Sequence, residues 1–109
     1  MYLIDFHFDF VIRSWSDVRQ VGPIIYAMHF STEATLRTYC FGRTGPIKAW
    51  KYGEAIPPDL LDVALHPEKY RFIAQNIQFD YLIWTCVFSR LIHGLKRPSI
   101  ENLDDLMAL

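Results

Sequence analysis

The chain has 109 residues, of which 51% are hydrophobic and 16% aromatic, with 11 Lys and Arg against 12 Asp and Glu for a formal net charge of −1. This length holds one domain, and so apolar a composition, with only 5 Gly and 6 Pro, excludes a disordered chain. The near-zero charge excludes a surface built as a whole to wrap nucleic acid, while leaving room for a local basic patch or a metal-bridged contact.

The first predicted element is a strand over Tyr2 to Ile12, in which every second position of an apolar run is acidic or an imidazole. Residues two apart in a strand point the same way, so Asp5, His7 and Asp9 share one face and Ile4, Phe6, Phe8 and Phe10 share the other. One face buries; the other is suited to a cation. Arg13 to Asp17 is a polar connector, with Ser14 or Ser16 able to cap a short turn before Val21-Gly22-Pro23 stops it. Ala34 to Phe41 and Pro46 to Tyr52, separated by Gly42-Arg43-Thr44-Gly45, predict a hairpin.

Pro57-Pro58-Asp59 then opens a helix, since proline in the first turn loses no needed N–H and Asp59 favours the positive end of the dipole. Leu60, Leu61, Val63, Ala64 and Leu65 form its buried side, and His66-Pro67 ends it. Tyr70 to Gln75 predicts a buried strand. Asn76 caps a longer helix from about Ile77 to Leu91, with Phe79, Ile83, Trp84, Val87, Phe88 and Leu91 at helical spacing and His93-Gly94 closing it. After the loop Lys96 to Ser99 comes a last capped segment, Asn102 to Met107, and Met107-Ala108-Leu109 read as a helix interrupted by the end of the chain.

A strand, helix and strand in succession require a crossover and so a parallel pair, whereas the hairpin is antiparallel. The expected fold class is therefore α/β, a mixed sheet flanked by helices, in a single domain over residues 1–109. Ligands gather at the carboxyl ends of parallel strands in such sheets. If the first strand and the Tyr70–Gln75 strand are parallel neighbours, Asp5, His7 or Asp9 meets Asp80 in the first turn of the long helix. Converging carboxylates repel one another and suit a divalent cation, and oxygen ligands select magnesium or manganese. The chemistry this fits is two-metal phosphoryl transfer, with ions about 4 Å apart.

The residues Met1-Tyr2-Leu3-Ile4-Asp5-Phe6, Arg13-Ser14, Ser31-Thr32-Glu33, the Pro57-Pro58 helix and Ala74-Gln75-Asn76-Ile77-Gln78-Phe79-Asp80 resemble the 3′-to-5′ exonuclease domain of phage and bacterial family A DNA polymerases. That domain belongs to the DEDD exonucleases and has a ribonuclease H-like fold; the resemblance spans nearly the whole chain, and Asn-x-x-Phe-Asp after a strand is its most specific part. It implies a hydrolase that removes nucleotides from a single-stranded DNA 3′ end with magnesium or manganese, beside a polymerase domain in the parent protein. By this resemblance Asp5 and Asp80 are the catalytic carboxylates, Asp9 is a further metal ligand on the same strand face, and Asn76 is a nucleic-acid contact. The family's first motif is Asp-x-Glu, and both registers open here, Asp5-Phe6-His7 and Asp9-Phe10-Val11, lack the glutamate. Gln75 stands where histidine is common, and no residue up to Leu109 matches the third motif. The resemblance therefore implies the N-terminal portion of such a domain, with weak activity or none, and the rival expectation is a non-catalytic remnant that binds DNA or protein.

Trp15, Trp50 and Trp84 have no common spacing and belong to the core rather than to a base-stacking platform. Lys48, Lys51, Lys96 and Arg97 are scattered cations on a solvated face. Cys40 and Cys86, without ligand spacing, are reduced core thiols. No apolar run reaches about 18 residues and no secretory leader is legible, so a cytoplasmic setting is expected.

Overall fold

The computed structural model describes residues 2–13, 33–42, 44–86 and 88–105. The connector after Arg13, Ser31-Thr32, Arg43, Val87 and Leu106 to Leu109 lie outside the described residues, as does Trp15. The alternating run at the start forms strand β1 (Ile4–Arg13), and the predicted hairpin forms β2 (Glu33–Phe41) and β3 (Lys48–Trp50). The helix opened by proline is α1 (Pro58–Leu65), followed by β4 (Tyr70–Ala74). Next come α2 (Ile77–Cys86), α3 (Phe88–Leu91) and a last strand, β5 (Leu103–Asp105).

The strands make one five-stranded mixed sheet in the order β3-β2-β1-β4-β5. β1 is central. It pairs antiparallel with β2 and parallel with β4, which in turn pairs parallel with β5, while β3 is antiparallel to β2. The expectation that β1 and β4 are parallel neighbours is met, and with it the α/β class. Over the described part of the last segment, a 3₁₀ turn at Ile100–Asn102 leads into β5 rather than into a helix, while the helix read at Met107-Ala108-Leu109 lies outside the described residues. A helix of one or two turns is poorly nucleated by itself. The free edge of β4 offers backbone partners to the same residues, with Phe72 opposite Leu103 and Ala74 opposite Asp105.

Phe6 and Phe8 are buried on one face of β1 with their rings stacked, centroids 5.0 Å apart. Trp84 of α2 meets both, at 5.6 Å and 6.0 Å, and also Phe72 of β4 at 5.5 Å and Phe88 of α3 at 4.8 Å. Leu60, Val63 and Ala64 of α1 join the same cluster, so all three described helices sit on one side of the sheet. Trp50 and Trp84 are core, as expected, but Cys40 and Cys86 are half-buried free thiols. Trp50 Nε1 donates to the Glu54 and Ala55 carbonyls, each at 3.2 Å, whereas the buried Trp84 Nε1 has no acceptor.

Two phenols fasten α1 to the sheet. The Tyr39 hydroxyl donates to Asp59 Oδ1 at 3.4 Å, and Lys48 Nζ lies 2.8 Å from Asp59 Oδ2. The Tyr70 hydroxyl donates to Asp62, and this bond holds the Asp62 carboxyl below its ordinary range. Burial, helped by Asp59, pushes the Tyr39 phenol up to about 12.

The helix expected over 77–91 is described on both sides of Val87, as α2 and α3, with Val87 itself outside the described residues. Thr85 Oγ1 donates to Tyr81 O at 3.0 Å and Ser89 Oγ to Cys86 O at 3.1 Å, so both hydroxyls bond back to carbonyls of the preceding turn. Gly94 beyond it adopts φ of +83°, the left-handed conformation that suits a glycine closing a helix. In the hairpin loop an added Cβ at Gly45 would lie 2.1 Å from the Phe41 carbonyl oxygen, so only glycine fits that turn.

Truncation at the centre of the ring cluster tests this packing. Trp84→Ala is expected to cost about 3–5 kcal/mol, measured by urea unfolding. A loss below about 1 kcal/mol would place the hydrophobic centre elsewhere.

Candidate functional site

Asp80 occupies the first turn of α2, immediately past the carboxyl end of β4. Asn76 sets that turn: its carbonyl accepts the Asp80 N–H at 3.0 Å and its Oδ1 accepts the Phe79 N–H at 3.5 Å. The exposed Asn76 therefore acts as the cap the sequence predicts. Ring packing of Trp84 on β1 then brings the start of α2 against the far part of that strand. The β1–β4 pairing runs from Ile4↔Tyr70 to His7↔Ile73 and goes no further. Beyond it the edge of β1 has no β4 partner, and Asp80 takes that place. Backbone groups of Phe10 and Asn76 hydrogen-bond its carboxylate.

Asp80 is only 6% exposed. Burial pushes its carboxyl up to about 7, the charges of Asp9 and, more weakly, Asp105 push in the same direction, and the two backbone hydrogen bonds oppose them. Asp9 thus faces Asp80 closely enough for repulsion between them. Its strand is irregular at this point: Asp9 pairs with Thr38 but Phe10 with Leu36, so Arg37 is an extra residue in β2. A bulge of this kind re-aims side chains. Arg37 Nε lies 4.0 Å from Asp9 Oδ2 with both side chains at least half exposed, too weak a pair to neutralise the site.

Asp5 is placed otherwise. It is the neighbour of Arg71 across the parallel pair, and Arg71 Nη2 and Nε donate to Asp5 Oδ1 at 2.9 Å and 3.0 Å. Asp9 is four positions beyond Asp5, about 13 Å along the strand. The strands converge as expected, but the acid they bring to Asp80 is Asp9. The reason is register: Asp5 lies level with the start of β4, and Asp80 follows its end. Asp105 was not singled out as a site residue, because only the pairing of β5 with β4 carries it there. Sequence offered one faint signal, an acidic pair soon after an Asn cap.

His7 lies between Cys40 on β2 and Ile73 on β4. With Asp9, Thr38, Cys40 and Gln75 it lines a concavity of about 280 Å³. Among the described residues no group of three or more His, Cys, Asp or Glu side chains is arranged to hold a metal ion. Nor, among them, is any helix long and apolar enough to cross a membrane. Comparison with protein-family models, with curated proteins and with solved structures finds no match to this chain.

The buried acid has a consequence for stability. Its ordinary value is 3.8 and its folded value about 7, so the folded chain holds the proton more tightly than the unfolded one. The resulting stabilisation is whole below about pH 4 and is lost as pH rises to about 7, at about 1.4 kcal/mol per tenfold difference in proton affinity. Asp80→Asn keeps the shape and one acceptor oxygen without the charge. It is expected to melt higher than the parent at pH 8 and to close that gap as pH falls to about 4. A difference in Tm that is constant from pH 4 to 8 would contradict the assignment.

Proposed function

We infer that the chain is a 3′-to-5′ exonuclease-type domain of ribonuclease H-like fold, weakened at its metal site. One observation carries this reading: the buried Asp80 lies beyond the carboxyl end of β4 within reach of the charge of Asp9 on a separate element, and burial first, with that charge second, pushes its carboxyl up to about 7. A central strand with an antiparallel hairpin on one side and parallel strands on the other agrees with the fold that the resemblance implies. The Asn-x-x-Phe-Asp element occupies the strand-to-helix turn where such a motif belongs.

Two carboxylates suit one magnesium or manganese ion, which keeps several waters and relies on substrate phosphates for the rest of its shell. They do not suffice for two. When bound, the ion would supply an activated water and polarise a phosphodiester. For this, Asp80 has to give up its proton, and the hydrogen bonds from Phe10 and Asn76 keep the freed carboxylate aimed at the site. Alignment of the first motif on Asp9 then places Val11, which is 40% exposed, where the family has its glutamate. An apolar side chain there supplies no ligand. The proposed substrate is a single-stranded DNA 3′ end, cut slowly or not at all.

The rival reading, a non-catalytic remnant, is favoured by Val11 and by the lack of a three-ligand group among the described residues. Manganese separates the two. At millimolar manganese and pH 8 the parent chain is expected to gain a few degrees in Tm, a gain that Asp80→Ala abolishes, because a cation that binds only the folded state stabilises it. Val11→Glu restores the missing carboxylate and is expected to bind manganese at least about 10-fold more tightly and to release mononucleotides from a 3′-labelled single strand. Absence of any shift in both the parent and Val11→Glu leaves the remnant reading standing.

A further inference from the structure

Strand β2 departs at one place from the alternation of a regular strand. Residues two apart share a face, yet Leu36 and Tyr39, three apart, are both buried in the core, while Arg37 and Thr38 between them are both exposed. Both neighbouring strands record the extra residue. On β1, Asp9 pairs with Thr38 and Phe10 with Leu36; on β3, Lys48 pairs with Tyr39 and Trp50 with Leu36, so the two steps from Lys48 to Trp50 face three on β2. The bulge turns two consecutive side chains away from the helices, toward the face on which Asp9 and Thr38 line one concavity. One of the two is Arg37, whose Nε lies 4.0 Å from Asp9 Oδ2. Bulges are common beside functional sites, where they aim a side chain that regular pairing would place elsewhere.

We propose that Arg37 is the resident counter-charge of the Asp9–Asp80 site, and that a divalent cation binds there by displacing its guanidinium from Asp9. The proposal rests on the metal-site reading of that pair. The contact is easily exchanged. It runs through Nε at 4.0 Å rather than through the fork by which arginine holds a carboxylate firmly, and the Arg37 and Asp9 side chains are 67% and 50% exposed. Arg71, by contrast, holds Asp5 with two nitrogens at 2.9 Å and 3.0 Å. With no cation bound, the positive charge beside Asp9 moderates the repulsion between Asp9 and the buried Asp80. An incoming cation needs the same carboxylate, and it approaches against the charge of the guanidinium until that group swings away into water. Arg37 therefore lowers the affinity of the site for a metal, and does so by charge.

The test is isothermal titration calorimetry of manganese into the 109-residue chain at pH 8, at low and at high sodium chloride. At low salt Arg37→Gln is expected to bind manganese about 3- to 10-fold more tightly than the parent, and Arg37→Lys, which keeps the charge, to stay within about 2-fold of it. Near about 1 M salt, where the Debye length falls to about 3 Å, the gain from Arg37→Gln is expected to shrink below about 2-fold. Equal or weaker binding by Arg37→Gln, with the parent binding, overturns the proposal and leaves the metal-site reading intact. A gain that persists undiminished at high salt also overturns it, because the substitution then acts through the shape of the bulge and not through charge. Binding by Arg37→Gln with none by the parent supports both. Failure of the parent and both variants to bind manganese refutes the metal-site reading, and the proposal falls with it.

Discussion

The aromatic contact between β1 and α2 is the constraint from which the candidate site follows. Trp84 lies against Phe6, Phe8 and Phe72 at once, and Phe88 extends the same cluster. Rings of this size bury much area and have few rotamers, so they fix a helix against a strand more firmly than aliphatic side chains of the same number would. Four residues earlier on the same helix, Asp80 is carried to the one stretch of β1 that β4 has left without a partner. Burial of the rings is strongly favourable, and burial of the carboxyl is not. The cluster stabilises the arrangement that holds the acid in place.

That opposition explains the state of Asp80. A carboxyl with a single opposing charge beside it would ionise readily, but this one meets Asp9, feels Asp105 and is screened from water. Two backbone hydrogen bonds soften the penalty without removing it. Such a group is expensive to keep in a protein core and rarely persists without a task. Under the proposed function a cation would relieve that cost, and the stability of the fold would then depend on the occupancy of the site.

Much of the architecture was legible because its signals were local and repeated. The alternation in β1, the glycine-flanked hairpin turn, the proline opening of α1 and the Asn cap of α2 each specify a conformation through their own chemistry, and each matches the structure. The end of the chain was not legible: Leu103-Asp104-Asp105 has no strand pattern of its own and becomes β5 only because β4 presents an edge. The candidate site was half legible. Asp80 was identified by its position after a strand, yet the choice between Asp5 and Asp9 depends on strand register, which two identical side chains on one face cannot report.

The ion pair between Asp5 and Arg71 gains a different meaning from this. A strand whose apolar positions recur as Phe6, Phe8 and Phe10 looks the same to its neighbour after a shift of two residues, since every ring stays on the buried side. Hydrophobic matching is therefore blind to such a slip, and a shift by two would set Arg71 opposite His7. Arg71, anchored on Asp5 and also 3.4 Å from Asp104, marks one of several equivalent alignments of three adjacent strands as the right one. The acid farther from Asp80 thus serves as an index mark for the sheet, and the placing of Asp9 toward Asp80 is read from it.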